Sequence, residues 1–311
     1  MKKVLIFGIG GFVGPYLATE FTSVSYRVFG SDIMRECSIS GCESYMPCDL
    51  TDADSVRELL EKIQPDLIVN LAAVSSVGLS WKIPSVTVHV NVCGTLNILE
   101  SARLCAPDCR ILLIGSSEEY VPSEQPLTEE SPTRANNPYG ISKAMMGQFC
   151  ELYRTQYGMK IYQVRAFNHT GIGQKDTFVL PSWCRQAAEI AAGRAENRMR
   201  TGNLHVRRDF SDVRDIVHAY RLVAESEDCS QIYNVGSGIA WELGDLLRKI
   251  ITISGKEIQV ATDPALVREV DNPVICCDNT KIRSRLSWAP VYSIEETLKE
   301  MFDYYVERGR A

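Results

Sequence analysis

With 311 residues, 45% of them hydrophobic and 23% charged, the chain can build one large core or two interlocked ones, and shows no signature of disorder. Lys and Arg number 33 against 39 Asp and Glu, and the net charge of −6 gives no general electrostatic reason to bind nucleic acid or an anionic membrane. A local cluster such as Arg207-Arg208 can still hold a phosphate. No stretch approaches the roughly 18 apolar residues of a membrane span. Eleven cysteines lack CxxC spacing, and only Cys276 and Cys277 are adjacent. This argues against a zinc site or a disulfide framework and for a reducing, cytoplasmic setting; no metal is expected.

Met1-Lys2-Lys3 precedes the apolar run Val4-Leu5-Ile6-Phe7, which breaks at Gly8 and so reads as a strand rather than a leader. Gly8, Gly11 and Gly14 follow in GxxGxxG spacing, with Phe12 and Val13 between them, and a helical pattern starts near Tyr16. A strand, a glycine turn and a helix in that order favour a dinucleotide site, with the phosphates at the helix N-terminus, over a plain βα turn. The second strand, Tyr26 to Gly30, delivers Asp32 eighteen residues after Gly14, where a carboxylate accepts ribose hydroxyls. That favours NAD(H); Arg35, able to pair with a 2′-phosphate, keeps NADP(H) open.

Cys48-Asp49-Leu50 is expected to close a third strand, and Asp52 to start a helix carrying Val56, Leu59, Leu60 and Ile63. Asp66 to Ala73 reads as a buried strand ending in Leu71, Ala72 and Ala73, and Asn91 to Leu99 as a helix. Arg110 to Gly115 is the next strand, with Ser116, Ser117 and Glu118 at its C-terminal end. This alternation predicts a doubly wound parallel α/β sheet, whose ligands bind beyond the carboxyl ends of the strands.

Tyr139 and Lys143 stand four residues apart in Pro-Tyr-Gly-Ile-Ser-Lys, on one face if this is the first turn of a helix. A nearby ammonium favours the phenolate, and a shift of a few units would bring a pKa of about 10 towards neutrality. Such a Tyr acts as general acid or base. The spacing alone is common to many solvated helices; the glycine turn upstream and Ser116 give it meaning.

After the strand Lys160 to Arg165 the alternation loosens. Asn168 to Gln174 has loop composition, Phe178 to Ala192 is helical, and Tyr233 to Gly238 reads as a strand and turn. Helices are expected from about Leu243 to Ile251 and from Ile294 to Val306. Residues 1–166 are expected to form the dinucleotide-binding domain, with 211–236 returning to it. Residues 167–210 and 237–311 are expected to form a smaller substrate-binding domain.

Taken together these residues resemble the extended short-chain dehydrogenase/reductases that act on nucleotide-linked sugars. The resemblance covers the whole chain: Gly8, Gly11 and Gly14; Asp49-Leu50; Leu71-Ala72-Ala73; Asn91 with Gly94-Thr95; Ser116; Tyr139 with Lys143; and Arg208-Asp209-Phe210. It implies that Tyr139 transfers a proton, that Lys143 lowers its pKa and holds the nicotinamide ribose, and that Ser116 orients the substrate oxygen. It also implies cofactor contacts for Asp49, Leu50, Leu71, Ala72 and Ala73, and often a homodimer.

The stretch from Ile114 to Tyr120, with Phe167-Asn168-His169 and Gly171-Ile172-Gly173-Gln174, looks most like GDP-4-keto-6-deoxy-D-mannose reductases. The resemblance then implies a GDP-hexose substrate held by Ser76, Glu118, Asn168, Arg208, Arg268 and Asp271, with the arginines on the pyrophosphate. GDP-mannose 4,6-dehydratases are the alternative, in which Glu118 would abstract a sugar proton. UDP-sugar 4-epimerases and a non-catalytic scaffold on the same fold come next. Two positions depart from the reductase pattern: Ile172 stands where it has Pro, and Glu269 follows Arg268 in place of Pro.

Overall fold

In the computed structural model, which describes residues 1–267 and 272–309, the apolar runs of the N-terminal half become parallel strands of one sheet. They are β1 (Lys3–Phe7), β2 (Arg27–Asp32), β3 (Cys42–Pro47), β4 (Leu67–Asn70), β5 (Arg110–Ser116) and β6 (Ile161–Ala166). The chain then leaves the main sheet for three short strands, β7 (Asn168–Thr170), β8 (Arg198–Thr201) and β9 (Arg207–Asp212). It returns as β10 (Ile232–Val235), giving the order β10-β6-β5-β4-β1-β2-β3. The order reverses at β1: β2 and β3 lie on one side, β4 onward on the other. Such a switch point opens a crevice at the carboxyl ends of β1 and β4.

Helices cover both faces because these strands are apolar on both sides. On one face α1 (Gly14–Ser23), α8 (Val213–Glu225) and α10 (Thr280–Leu286) bury Leu17, Phe21, Ile216, Tyr220 and Ile282. On the other lie α2 (Ala53–Ile63), α5 (Gly94–Cys105) and α6 (Pro138–Tyr157), burying Leu59, Leu60, Ile98 and Met146. In α2 all four expected residues, Val56, Leu59, Leu60 and Ile63, face the core, and Asp52 caps it by accepting from the Asp54 and Ser55 amides. Burying each such side chain stabilises the fold by about 1.5–3 kcal/mol.

The remaining strands are β11 (Ala240–Glu242), β12 (Gln259–Thr262) and β13 (Val274–Ile275). In the second sheet β9 is flanked by β11 and β13 and also pairs with β7; β12 pairs with β8. A separate core joins α7 (Val179–Ala191), α9 (Leu243–Ser254) and α11 (Ile294–Arg308) to these strands through Leu180, Trp183, Leu246 and Leu298.

Several boundaries differ from the sequence expectation, and hydrogen bonds explain them. β3 ends at Pro47, so Cys48-Asp49-Leu50 lies past it: the Asp49 carboxylate accepts from Thr51 N and Oγ1 at 2.9 and 2.8 Å and turns the chain. β4 stops at Asn70, whose Oδ1 accepts from Ala72 N at 3.1 Å; Leu71 N still donates to the Phe7 carbonyl at 2.9 Å, and Ala72 and Ala73 leave the sheet. The helix expected at Asn91 begins, after α4 (Pro84–Val88), as a wider turn over His89–Cys93 before α5. Asn168 to Thr170, expected as loop, pairs in parallel with Phe210 to Asp212. Among the described residues no helix is long and apolar enough to cross a membrane.

Candidate active site

The first part of the site is the turn after β1. Gly8 has φ of +75°, a conformation that favours glycine, and an added Cβ there would lie 2.6 Å from Ala72 N. The close approach joins the carboxyl end of β1 to that of β4. Gly14 starts α1 directly against Ile9, where an added Cβ would lie 2.5 Å from the Ile9 carbonyl carbon. At the N-cap Val13 supplies no side-chain acceptor, and the first turn of α1 has no acidic residue. The positive end of the helix therefore faces the turn without a side-chain anion, which fits a dinucleotide pyrophosphate. Phe12 stacks on His169, ring centroids 6.1 Å apart, so the turn also touches the segment after β6.

Asp32 ends β2 on the rim of the same crevice. Its Oδ2 accepts from Gly10 N at 3.1 Å and its Oδ1 from Ile33 N at 2.8 Å. The carboxylate is thereby aimed at the glycine turn, as a group that accepts ribose hydroxyls would be. Asp49, by contrast, is exposed and engaged with Thr51. Leu50 is buried, and its carbonyl accepts from Asn97 Nδ2 at 2.7 Å.

The second part is where β5 meets α6. Asn137 caps α6 by accepting from Gly140 N at 2.9 Å, and Pro138 follows at the first helical position. This start places Tyr139 and Lys143 on one face of the first turns, with the Lys143 Nζ 5.8 Å from the Tyr139 ring centroid. The Ser116 hydroxyl lies beside the Tyr139 phenol and accepts from Glu118 N at 3.2 Å. Ser116, Tyr139 and Lys143 therefore converge, although 23 and 27 residues separate the serine from the other two.

Their electrostatics differ from the expectation. Burial pushes the Tyr139 phenol well above its ordinary value, with the Ser116 hydroxyl opposing and the carboxylates of Glu118 and Glu119 adding to the rise. Burial therefore outweighs the lowering expected from Lys143, whose ammonium donates to the Ile114 carbonyl at 2.7 Å. Burial in turn pulls Lys143 down to about 8, against the attraction of Glu119. Tyr139 is thus held as a protonated phenol at neutral pH.

Other side chains fix this geometry. Glu118 Oε2 accepts from Asn137 Nδ2 at 2.9 Å, tying the carboxylate to the N-cap of α6. Asn91 Nδ2 donates to Ser142 Oγ at 2.9 Å, and Asn91 Oδ1 accepts from Val74 N at 2.8 Å. Ser80 Oγ accepts from Tyr139 N at 3.2 Å. The sequence reading missed Asn137, Ser80 and Ser142 as supports. Asn137-Pro138 was recognisable as a helix start, whereas no spacing rule points to Ser80.

The residues implied for the substrate are spread more widely. Ser76 caps α3 (Val77–Lys82), accepting from Leu79 N at 3.2 Å, beside the loop that follows β4. Asn168 pairs with Phe210, so Asn168, Phe210 and Arg208 share one face of the second sheet. Arg208 is 7% exposed, and its Nη1 donates to the Arg207 carbonyl at 2.9 Å. Asp209 beside it accepts from Ser237 N, Gly238 N and Cys277 N, at 2.9, 2.9 and 3.0 Å, locking two loops onto β9. Arg268 and Asp271 lie outside the described residues. Among the described residues no cluster of three or more His, Cys, Asp or Glu side chains could hold a metal ion.

Comparison with known proteins gives a consistent picture. The sequence profile of GDP-mannose 4,6 dehydratase matches residues 5–301. The chain is 29% identical to GDP-6-deoxy-D-mannose reductase of Pseudomonas aeruginosa, over 99% of both chains. It is 27% identical to a GDP-mannose 4,6-dehydratase of Vibrio cholerae, over 96% of this chain and 92% of that one. Among solved structures, RMD from P. aeruginosa complexed with NADPH aligns with a TM-score of 0.88 and 26% identity, covering 99% of this chain and 100% of the other. The fold is shared with the UDP-glucose 4-epimerase of Thermus thermophilus in complex with NAD, at a TM-score of 0.87 and 24% identity, covering 99% and 100%.

Proposed function

The chain belongs to the GDP-mannose 4,6-dehydratase family of extended short-chain dehydrogenase/reductases, and from that premise we propose that it reduces the C4 ketone of a GDP-linked 4-keto-6-deoxyhexose. With GDP-4-keto-6-deoxy-D-mannose the product is GDP-D-rhamnose. The observation that carries the reading is a phenol, Tyr139, kept protonated by burial and placed beside the Ser116 hydroxyl at the end of β5. Reduction of a ketone leaves an alkoxide that needs a proton, and a donor of high pKa that is fully protonated at neutral pH suits that task.

A bound nicotinamide cofactor supplies the hydride. The glycine turn holds its pyrophosphate at the start of α1, and Asp32 takes the ribose hydroxyls, which favours NAD(H). The exposed Arg35 beside it leaves NADP(H) admissible, and the P. aeruginosa structure contains NADPH. Ser116 orients the ketone oxygen, Tyr139 passes its proton to that oxygen as charge develops, and Lys143 stabilises the phenolate left behind. Arg208, with Asn168 on the same sheet face, holds the nucleotide diphosphate. Loss of reduced cofactor on mixing with the ketosugar tests the reading; no loss with NADH or NADPH would sink it.

One observation favours a second reading. Glu118, tied to Asn137 at the start of the helix that carries Tyr139, is the residue to which the resemblance to 4,6-dehydratases gives the removal of a sugar proton. Glu118→Gln separates the two. A reductase is expected to lose no more than about tenfold in kcat/KM, equivalent to about 1.4 kcal/mol for one positioning contact. A dehydratase would lose its activity on GDP-mannose altogether.

A further inference from the structure

Behind the site lies a pair of opposite charges that the proposed chemistry does not use. Glu119 is 1% exposed, and its Oε2 accepts from Arg165 Nε at 2.9 Å while Oε1 accepts from Ser116 N at 2.8 Å. Arg165 sits on β6 opposite Gly115, donates to Tyr120 Oη at 3.0 Å, and is only 9% exposed. The strand leaves room for the carboxylate: a Cβ on Gly115 would overlap Glu119 Oε1 and lie 2.8 Å from the Val164 carbonyl oxygen. Lys143 is bound to the same piece of backbone, through the Ile114 carbonyl two residues before Ser116. A buried ion pair is costly compared with apolar residues of the same volume, and one beside a buried ammonium calls for a reason.

We propose that Glu119, with Arg165 as its counter-ion, is a positioning residue that keeps the Lys143 ammonium charged inside a site that otherwise expels charge. Among the described residues the ionisable groups that face Lys143 are few. Tyr139 and Cys150 lie on its own helix, Glu119 comes from the short helical turn after β5, and Arg165 stands on β6 beyond Glu119. Of these Glu119 exerts the largest upward pull on Lys143, ahead of Cys150 and against the desolvation that lowers it. Burial leaves the Glu119 carboxyl above its ordinary value, and Arg165, which cannot lose its proton, opposes that rise together with Ser116 N–H. The same carboxylate fixes the Ser116 backbone, so Lys143 and the serine are set by one group.

The consequence for catalysis rests on the ketone reductase reading, but the charge relation does not. The test uses the full chain labelled at lysine Cε with 13C, the Lys143 resonance being assigned by its loss in Lys143→Met. In Glu119→Gln, which retains an acceptor for Ser116 N, the titration of Lys143 is expected to move to lower pH by about one unit, tenfold in proton affinity. A pair that serves packing alone would leave the titration of Lys143 where it is. No movement, or movement to higher pH, in Glu119→Gln overturns the proposal. If a single variant does not fold, the double variant Glu119→Gln/Arg165→Met leaves no lone buried charge and must show the downward shift. Wild-type protein that titrates this way but reduces no ketosugar would overturn the function and leave the charge relation standing. With the ketosugar turned over, the high-pH limb of kcat/KM in Glu119→Gln is expected to shift downward with Lys143.

Discussion

Tyr139→Phe is expected to lower kcat for ketosugar reduction by about 10³-fold, within the range for loss of a positioned general acid. The substitution removes one oxygen beside the Ser116 hydroxyl, while the helix start at Asn137 and the Lys143 contact with Ile114 remain. Binding of the reduced cofactor, read by its fluorescence, should change by less than about threefold, because only chemistry is removed. A parallel loss of cofactor binding would instead make Tyr139 a packing residue. The wild-type pH profile follows from the same groups. Reduction needs the proton on Tyr139, which burial holds high, and the charge on Lys143, which burial pulls down to about 8. Both active forms are the protonated ones, so kcat/KM should be level near neutrality and fall as pH rises through about 8.

Gly14→Ala carries the second large effect, on the fold and the cofactor site together. The added methyl would overlap the Ile9 carbonyl oxygen and lie 2.5 Å from the carbonyl carbon, and backbone cannot rotate out of the way as a side-chain tip can. α1 must move off β1, at a cost of about 3 kcal/mol, the upper end for overpacking. Thermal unfolding should occur about 5–10 °C lower, given the shift per kcal/mol in chains of this size. Binding of either nicotinamide cofactor should weaken more than tenfold, since the helix N-terminus is displaced from the phosphates. A variant with unchanged melting and unchanged cofactor affinity would contradict the tight packing of the turn.

What the sequence made legible was local. The spacing of Tyr139 and Lys143, the glycines from Gly8 to Gly14 and the apolar face of α2 each follow from a period or a backbone requirement, and the structure has them as read. Strand ends were less legible, because side chains decide them: Asn70 and Asp49 turn the chain by bonding amides two residues on. The protonation of Tyr139 was read with the wrong sign. An ammonium four residues away suggested a lowered pKa, but burial, which no spacing reveals, prevails. Glu119 and Arg165 were invisible for a related reason. Two charged residues 46 positions apart look solvated until β5 and β6 pair and bury them.

The claim that the chain is a reductase rather than a dehydratase is tested most directly by the balance of cofactor and sugar. Purified protein is given GDP-4-keto-6-deoxy-D-mannose with NADPH or NADH, and separately GDP-mannose, and products are identified by NMR. The account predicts one reduced cofactor consumed for each ketosugar converted to GDP-D-rhamnose, and GDP-mannose left unchanged. Conversion of GDP-mannose to the ketosugar without net consumption of cofactor would contradict it.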